Sequence, residues 1–214
     1  SEVRQKLGLS VSLFEVVLRK VLRKGPKQWD DYAAWITNGL VEFEKFTDIE
    51  LHVVSPHYGM VKKNVSFQLN GINYHFFKPD NDTMLKRLRG LLFKKIASEH
   101  TGNRNFIKRI VSKLNPDLIH MYGAENPIYS IAALDIDTKK FPFFVSLQTL
   151  MSDPGFFGNY FISKDQYSFR VGIEKDIIKR IKYIGTSVPS SRNIIWSGIN
   201  PNAIFFDSFL AIEQ

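Results

Sequence analysis

The stretch from residue 105 to residue 127 constrains the fold most, because a helical pattern, a short strand and a loop follow one another there. Apolar residues at positions 106, 107, 110, 111 and 114 are spaced for one face of a helix, which Pro116 ends. Leu118–Met121 is a short apolar run typical of a buried parallel strand, and Gly123 breaks it. Because ligands in open α/β sheets bind at the carboxyl ends of strands, we predict that the loop after this strand borders a cleft.

Helical and strand patterns alternate along the rest of the chain. Strands are predicted at 51–55, 143–147, 183–187 and 203–206, and helices at 11–24, 28–46, 84–97, 105–114, 128–134, 167–182 and 190–197. Val65–Leu69 and Ile72–Phe77 alternate in hydrophobicity on either side of Asn70-Gly71, a strong signal for a β-hairpin. Residues 151–161 have no regular period and are predicted to form a loop.

This alternation predicts an α/β fold, because parallel strands must be joined by crossover connections. We expect one Rossmann-like domain over residues 1–214, with a mostly parallel sheet, helices on both faces and the β-hairpin as an insertion. Such a fold normally opens with a strand, whereas this chain opens with a helical pattern. The first strand of the fold is therefore expected to be missing from the chain.

Composition restricts the class of protein. The 214 residues are 44% hydrophobic, which suits one or at most two domains with a substantial core. No apolar run approaches the ~20 residues needed to cross a bilayer, and no signal peptide is visible, which fits a cytoplasmic protein. The absence of Cys excludes disulfides and thiolate metal sites. The net charge of +8 favours an anionic partner, or else reflects a solvated surface with extra lysines.

Four segments, taken in order and spacing, resemble a known family. They are residues 50–59, 115–127, 142–150 and 173–206, the second of which contains Pro116-Asp117-Leu118-Ile119-His120. They are similar to segments in the N-terminal domain of the family 4 retaining glycosyltransferases, which have the two-domain GT-B fold. The resemblance covers nearly the whole chain after Gln28. It departs from the family pattern at Tyr122, where a second His is usual, and at Thr149, where a Gly is usual.

The resemblance implies that the chain is one half of an enzyme. It would bind the acceptor, a glycan or a lipid-linked acceptor, while an absent C-terminal domain binds the nucleotide-sugar donor. The reaction implied is sugar transfer in surface polysaccharide biosynthesis, with no divalent metal and no cofactor. The replacement at Tyr122 puts ordinary catalysis or the usual acceptor in doubt, so no catalytic residue is assigned.

Polar side chains near the predicted strand ends are the candidate substrate-binding residues. They are His120, Tyr122, Glu125, Asn126, Gln148, Thr149, Thr186 and, in a Gly-Pro turn, Gly25. Tyr122 and Glu125 are expected beyond their strand, facing the cleft. Structural alternatives stay open for several of them. His120 could be a satisfied core histidine, Glu125 or Thr186 could cap the helix that follows, and the Gln148 amide could serve the loop backbone.

No metal site is predicted, because His52 and His57 have no acidic cluster near them and Asp80-Asn81-Asp82 reads as a helix N-cap region. Two other functions remain open: half of a GT-B nucleotide-sugar epimerase, and a non-catalytic basic binding module. Nucleic acid is not an expected partner, because the aromatic residues placed in strands and loops lie in apolar rather than basic runs.

The helix predicted at 11–24 has an apolar face opposite Arg19, Lys20, Arg23 and Lys24. One interpretation is that it docks on an anionic membrane, which would place the protein at the inner face of that membrane. The other is that the apolar face packs on the protein's own sheet.

Overall fold

The computed structural model describes residues 43, 46, 48–58, 60, 62–80, 100–156, 163–186 and 188–207. The chain divides into two compact units, residues 1–78 with 210–214 and residues 79–209. The helices predicted at 11–24, 28–46 and 84–97 fall almost entirely outside the described residues, as does Gly25, so the membrane-docking interpretation stays a prediction. The single-domain interpretation also stays a prediction. None of the described helices combines the length and the hydropathy that a membrane crossing needs.

The first unit contains a three-stranded sheet built on the predicted hairpin. Its strands are β1 (His52–Pro56), β2 (Asn64–Leu69) and β3 (Ile72–Phe77), in the order β1-β3-β2. β1 runs parallel to β3, and β2 runs antiparallel to it. The turn residues Asn70 and Gly71 have φ angles of 51° and 77°. Both are positive, as a tight two-residue hairpin turn requires, which confirms the hairpin.

The second unit contains a four-stranded, fully parallel sheet. Its strands are β4 (Ile119–Tyr122), β5 (Phe143–Ser146), β6 (Tyr183–Gly185) and β7 (Ile204–Phe206), in that order. The helices are α1 (Thr101–Leu114), α2 (Pro127–Ser130), α3 (Lys164–Arg180) and α4 (Pro189–Gly198). Two 3-10 turns lie at Ile131–Asp135 and Pro154–Phe156. A parallel sheet flanked by helices confirms the predicted Rossmann-like α/β class.

Hydrogen bonds explain why several boundaries differ from the predicted ones. The first ladder bond of β4 runs from the Ile119 N–H to the Pro142 carbonyl, 2.8 Å, so Leu118 precedes the sheet and is 56% exposed. Tyr122 was predicted beyond the strand, and this is wrong, because Tyr122 is the last residue of β4. α3 begins three residues earlier than predicted, since the Ser163 hydroxyl accepts from the Gln166 N–H and caps it.

The Asp80 region was predicted to be an N-cap of the helix that follows it in sequence. That helix lies outside the described residues, so its capping by this region stays a prediction. The Asp80 carboxylate itself accepts hydrogen bonds from the Gly102 N–H, 2.6 Å, and the Asn103 N–H, 3.2 Å. These are N–H groups of the first turn of α1. A carboxylate distant in sequence therefore caps α1, which begins at Thr101 rather than near residue 105.

The core lies on one face of the parallel sheet. Met121, Val145 and Ile184 are buried there against Ile177 and Ile178 of α3. Side chains alternate along a strand, so His120, Phe144 and Ser146 project to the opposite face. The register places the carboxyl ends of β4 and β5 together, because Tyr122 pairs with Ser146.

Candidate binding site at the carboxyl edge of the parallel sheet

Two loops that carry candidate residues leave the sheet side by side. The Gly123 N–H donates to the Ser146 carbonyl, 2.8 Å, and thus extends the β4–β5 pairing by one step. Glu125 and Asn126 follow in the first loop, and Gln148 and Thr149 follow in the second. The predicted meeting of these loops at one edge of the sheet agrees with this register.

The Glu125 carboxyl folds back over Gly123. The backbone at Gly123 has a φ of 77°, which favours glycine, and a Cβ built there would lie 2.4 Å from Oε2 of Glu125 and would push that side chain away. Oε2 is buried, and among the described residues no group donates a hydrogen bond to it. The helix that follows is capped by Asn126, whose Oδ1 accepts from the Ile128 N–H at 3.2 Å. Glu125 is therefore left with a buried oxygen that the capping interpretation does not explain.

A second carboxyl group, Glu174 of α3, lies near Glu125 but is fully satisfied. It is completely buried and accepts from the Met151 N–H at 2.9 Å and the Ser152 N–H at 2.8 Å. Burial raises the pKa of Glu174, and these backbone hydrogen bonds oppose the rise. Glu174 therefore holds the backbone of the loop after β5. The Tyr167 hydroxyl holds the same loop, since it donates to the Met151 carbonyl.

Burial also raises the pKa of Glu125, and the nearby Glu174 charge raises it further. The backbone N–H groups of Ala124 and Glu125 and the positive charge of Arg170 oppose this shift. When two neighbouring carboxyl groups compete for one proton, the group with fewer donors to its charged form takes it first. Both carboxyl groups therefore ionise less readily than an exposed glutamate does.

The loop after β5 supplies two further polar groups. The Thr149 hydroxyl is buried and has no hydrogen-bond partner in the described part of the chain. The Gln148 side chain is exposed. Two residues after Thr149, Glu174 and Tyr167 hold the backbone of the same loop at Met151.

His120 and Tyr122 occupy the face of the sheet opposite the core. The His120 Nε2 lies 2.9 Å from the Ser146 hydroxyl, and its ring centre lies 3.8 Å from that of Phe144 and 3.9 Å from that of Tyr122. Burial lowers the pKa of His120 to about 4, so its ring is neutral at pH 7. His120 is therefore a satisfied, partly buried histidine, but it lies outside the core cluster. Burial raises the pKa of Tyr122, whose phenol stays protonated.

Thr186 is buried and already engaged, since its hydroxyl accepts from the Val188 N–H at 3.1 Å. It supports the turn that leads into α4. Asn126 is likewise engaged as a cap. Of the candidate residues, Glu125, Thr149 and Gln148 are those that present polar atoms at the carboxyl edge without a described partner.

Sequence reasoning overlooked Glu174, although a signal was present. A single acid stands among Ile173, Ile177 and Ile178, at positions that share an apolar helix face. An acid in such a place must find donors within the protein. No group of three His, Asp or Glu side chains within the described ranges is arranged to hold a metal ion.

Replacing Glu174 with Gln is expected to loosen the loop after β5. One amide oxygen cannot serve both the Met151 and Ser152 N–H groups as the carboxylate does, and the amide adds a donor in a buried site. Hydrogen exchange of these two amides should accelerate at least about tenfold, the equivalent of ~1.4 kcal/mol. Exchange within β2 and β3 serves as the control, and unchanged rates at residues 151 and 152 would contradict the proposed role.

No protein-family model and no curated protein matches the chain. A solved structure titled "Trehalose-6-phosphate from E. coli bound with UDP-2-fluoro glucose" is similar to it, with a TM-score of 0.45 and 12% identity. The match covers 78% of this chain and 40% of that one, so this chain corresponds to less than half of its neighbour's length. A likeness at this level establishes neither family nor ligand.

Proposed function

We propose that the chain is the acceptor-binding half of a retaining glycosyltransferase. The observation that carries the proposal is the buried, unpartnered Glu125 oxygen at the carboxyl edge of a parallel sheet. Such an acceptor is costly to bury unless a donor completes it, and a sugar hydroxyl is a suitable donor. The four segments that resemble family 4 glycosyltransferases support the same function.

The polar groups at this edge favour a neutral, hydroxyl-rich acceptor. Glu125 supplies an oxygen acceptor, Thr149 supplies a hydroxyl, and the exposed Gln148 amide both donates and accepts. The acceptor class proposed is a glycan or a lipid-linked glycan of surface polysaccharide biosynthesis. A lipid-linked acceptor would bring the protein to the inner face of the membrane. The nucleotide-sugar donor would bind to a second domain outside this chain.

The test is a binding screen of the full 214-residue chain by ligand-observed NMR. Neutral oligosaccharides, nucleotide sugars and an oligonucleotide are compared at equal concentration. We expect oligosaccharides to bind and the other two to bind weakly or not at all. Gln148→Ala should weaken oligosaccharide binding, whereas Lys139→Ala, which changes an exposed side chain outside this edge, should not.

Two results of this screen would contradict the proposal. Binding confined to nucleotide sugars would favour the epimerase alternative, and binding confined to the oligonucleotide would favour a basic binding module. We also expect the isolated chain to turn over no nucleotide sugar, because the proposed donor site lies elsewhere. Sustained release of nucleoside diphosphate by this chain alone would refute the half-enzyme interpretation.

A further inference from the structure

A continuous row of hydrogen-bonded side chains crosses the three-stranded sheet of the first unit. The Ser66 hydroxyl lies 2.9 Å from Nδ1 of His75, and Nε2 of His75 lies 3.0 Å from Nδ1 of His52. Nε2 of His52 lies 3.0 Å from a carboxylate oxygen of Glu50. We call these four side chains the Ser66–Glu50 relay. None of them belongs to the site at the edge of the parallel sheet.

The sheet itself holds the relay in place. His75 lies on the central strand β3, opposite Val54 on one side and Ser66 on the other. The two imidazole planes differ by only 11°, which suits a hydrogen bond lying in the plane of both rings. Glu50 is also 3.5 Å from the Asn73 amide of the same strand. The register of the three strands therefore aligns the hydroxyl and the two imidazoles, and Glu50 reaches His52 from two residues before β1.

Hydrogen-bond chemistry gives the relay a direction. An ionised carboxylate only accepts, so Nε2 of His52 must donate to Glu50. A neutral imidazole has one donor and one acceptor, which leaves Nδ1 of His52 to accept from Nε2 of His75. Nδ1 of His75 is then the acceptor that faces the Ser66 hydroxyl. The carboxylate thus sets the tautomer of both rings and presents a basic nitrogen to the serine.

A hydroxyl bonded to a base that is oriented by a further group is the arrangement of an activated nucleophile. Ser66 is exposed on an edge of the described sheet, so a reagent in solution can reach it. We propose that Ser66 is an acyl-accepting modification site that reacts with activated acyl esters. This inference concerns the first unit and stands independently of the proposed glycosyltransferase function.

The chemical step conserves atoms and charge. The Ser66 oxygen forms a bond to the carbonyl carbon of the ester while its proton passes to Nδ1 of His75. The carbon–oxygen bond to the leaving group then breaks, and the proton leaves the imidazole with the departing alcohol or phenol. The products are an O-acyl serine, a neutral His75 and the free alcohol. No oxidant, reductant or metal is required.

The experiment treats the full chain with p-nitrophenyl acetate, follows p-nitrophenol release, and locates the acetyl group by peptide mass spectrometry. Acetylation is expected at Ser66, and the Ser66→Ala variant should lose it. Ser197 is the matched control, since it is also exposed but its hydroxyl donates to the Asn193 carbonyl at 2.7 Å and bonds to no imidazole among the described residues. Acetylation of Ser66 no faster than of Ser197 would overturn the proposal.

Variants of the two histidines test the role of the base. His75→Ala should slow acetylation ~100-fold, the contribution expected of a positioned base, and added imidazole should restore part of the rate. His52→Gln should slow it less, because His52 positions His75 without touching the serine. Circular dichroism checks that each variant is folded. If His75→Ala stays folded and reacts at the original rate, or if imidazole has no effect, Ser66 is not activated by the relay.

Discussion

Replacing Glu125 with Ala is expected to weaken oligosaccharide binding by the chain more than any other single substitution at this edge. The variant removes the buried oxygen that the proposed acceptor would complete, and a hydrogen bond to a charged group contributes about 1.5–3 kcal/mol. That loss corresponds to a roughly 10- to 100-fold rise in Kd. Isothermal titration with the oligosaccharide found in the binding screen measures it. Lys139→Ala is the control, and equal affinity of the Glu125→Ala variant and the wild type would place the ligand elsewhere.

Glu125 should also affect the stability of the folded chain. Its ionised carboxyl group is proposed to favour ligand binding but is expected to lower the free energy of unfolding. The pKa of Glu125 in the folded chain is raised above its ordinary value of 4.5, chiefly by burial. Below that value both the folded and the unfolded chain are protonated. As the pH rises, the unfolded chain ionises first, so stability is lost as the pH climbs through the raised folded pKa. The loss extends upward from about pH 4.5.

The Glu125→Gln variant cannot ionise and should escape this loss. It is expected to unfold at a higher temperature than the wild type at pH 8 and at nearly the same temperature at pH 4. The pKa of Glu174 is also raised, so the wild type and the Glu125→Gln variant both keep the pH dependence that Glu174 causes. A variant that gains stability while losing affinity is typical of a residue kept for binding rather than for folding. Equal unfolding temperatures of the two proteins at both pH values would contradict the assigned burial.

Much of the second unit could be predicted from the sequence because its signals are local. The run before Gly123 predicts β4 to within one residue, and the Asn70-Gly71 pair predicts the hairpin in the first unit. What could not be predicted depends on partners that are distant in the chain. Tyr122 enters β4 because the ladder begins at the Pro142 carbonyl, and no local pattern indicates that register.

The candidate site shows the same division. Its location at the ends of β4 and β5 follows from the strand pattern, and the placement of Glu125 and Gln148 near one edge agrees with it. The roles within it depend on three-dimensional contacts. Asn126 rather than Glu125 caps α2, and Glu174 supports the loop from a helix more than 20 residues away in sequence. The Ser66–Glu50 relay could not be predicted from local sequence either, because His52 and His75 lie on strands that are separated by a third strand in the chain.

Because Asp80 caps α1, we expect the effect of Gly102→Ala on the free energy of unfolding to change sign when the Asp80 carboxylate is removed. A Cβ at Gly102 would lie 2.3 Å from Oδ1 of Asp80, so the carboxylate has to shift in Gly102→Ala, and we expect this to weaken its bonds to the N–H groups of Gly102 and Asn103. Asp80→Ala removes the same two bonds. Each single variant is expected to cost about 1–3 kcal/mol in the free energy of unfolding, as the loss of a capping side chain does.

In the chain that already lacks the carboxylate, the added methyl group at residue 102 no longer has that neighbour. Alanine is also favoured over glycine inside a helix by up to about 1 kcal/mol. Gly102→Ala should therefore be neutral or stabilising in the Asp80→Ala background, although it destabilises the wild type. Urea unfolding of the four proteins measures the coupling, and Gly172→Ala in α3, where a Cβ has no neighbour within 4 Å, is the control for helix propensity. Equal costs of Gly102→Ala in both backgrounds would show that the glycine is needed for a reason other than the Asp80 cap.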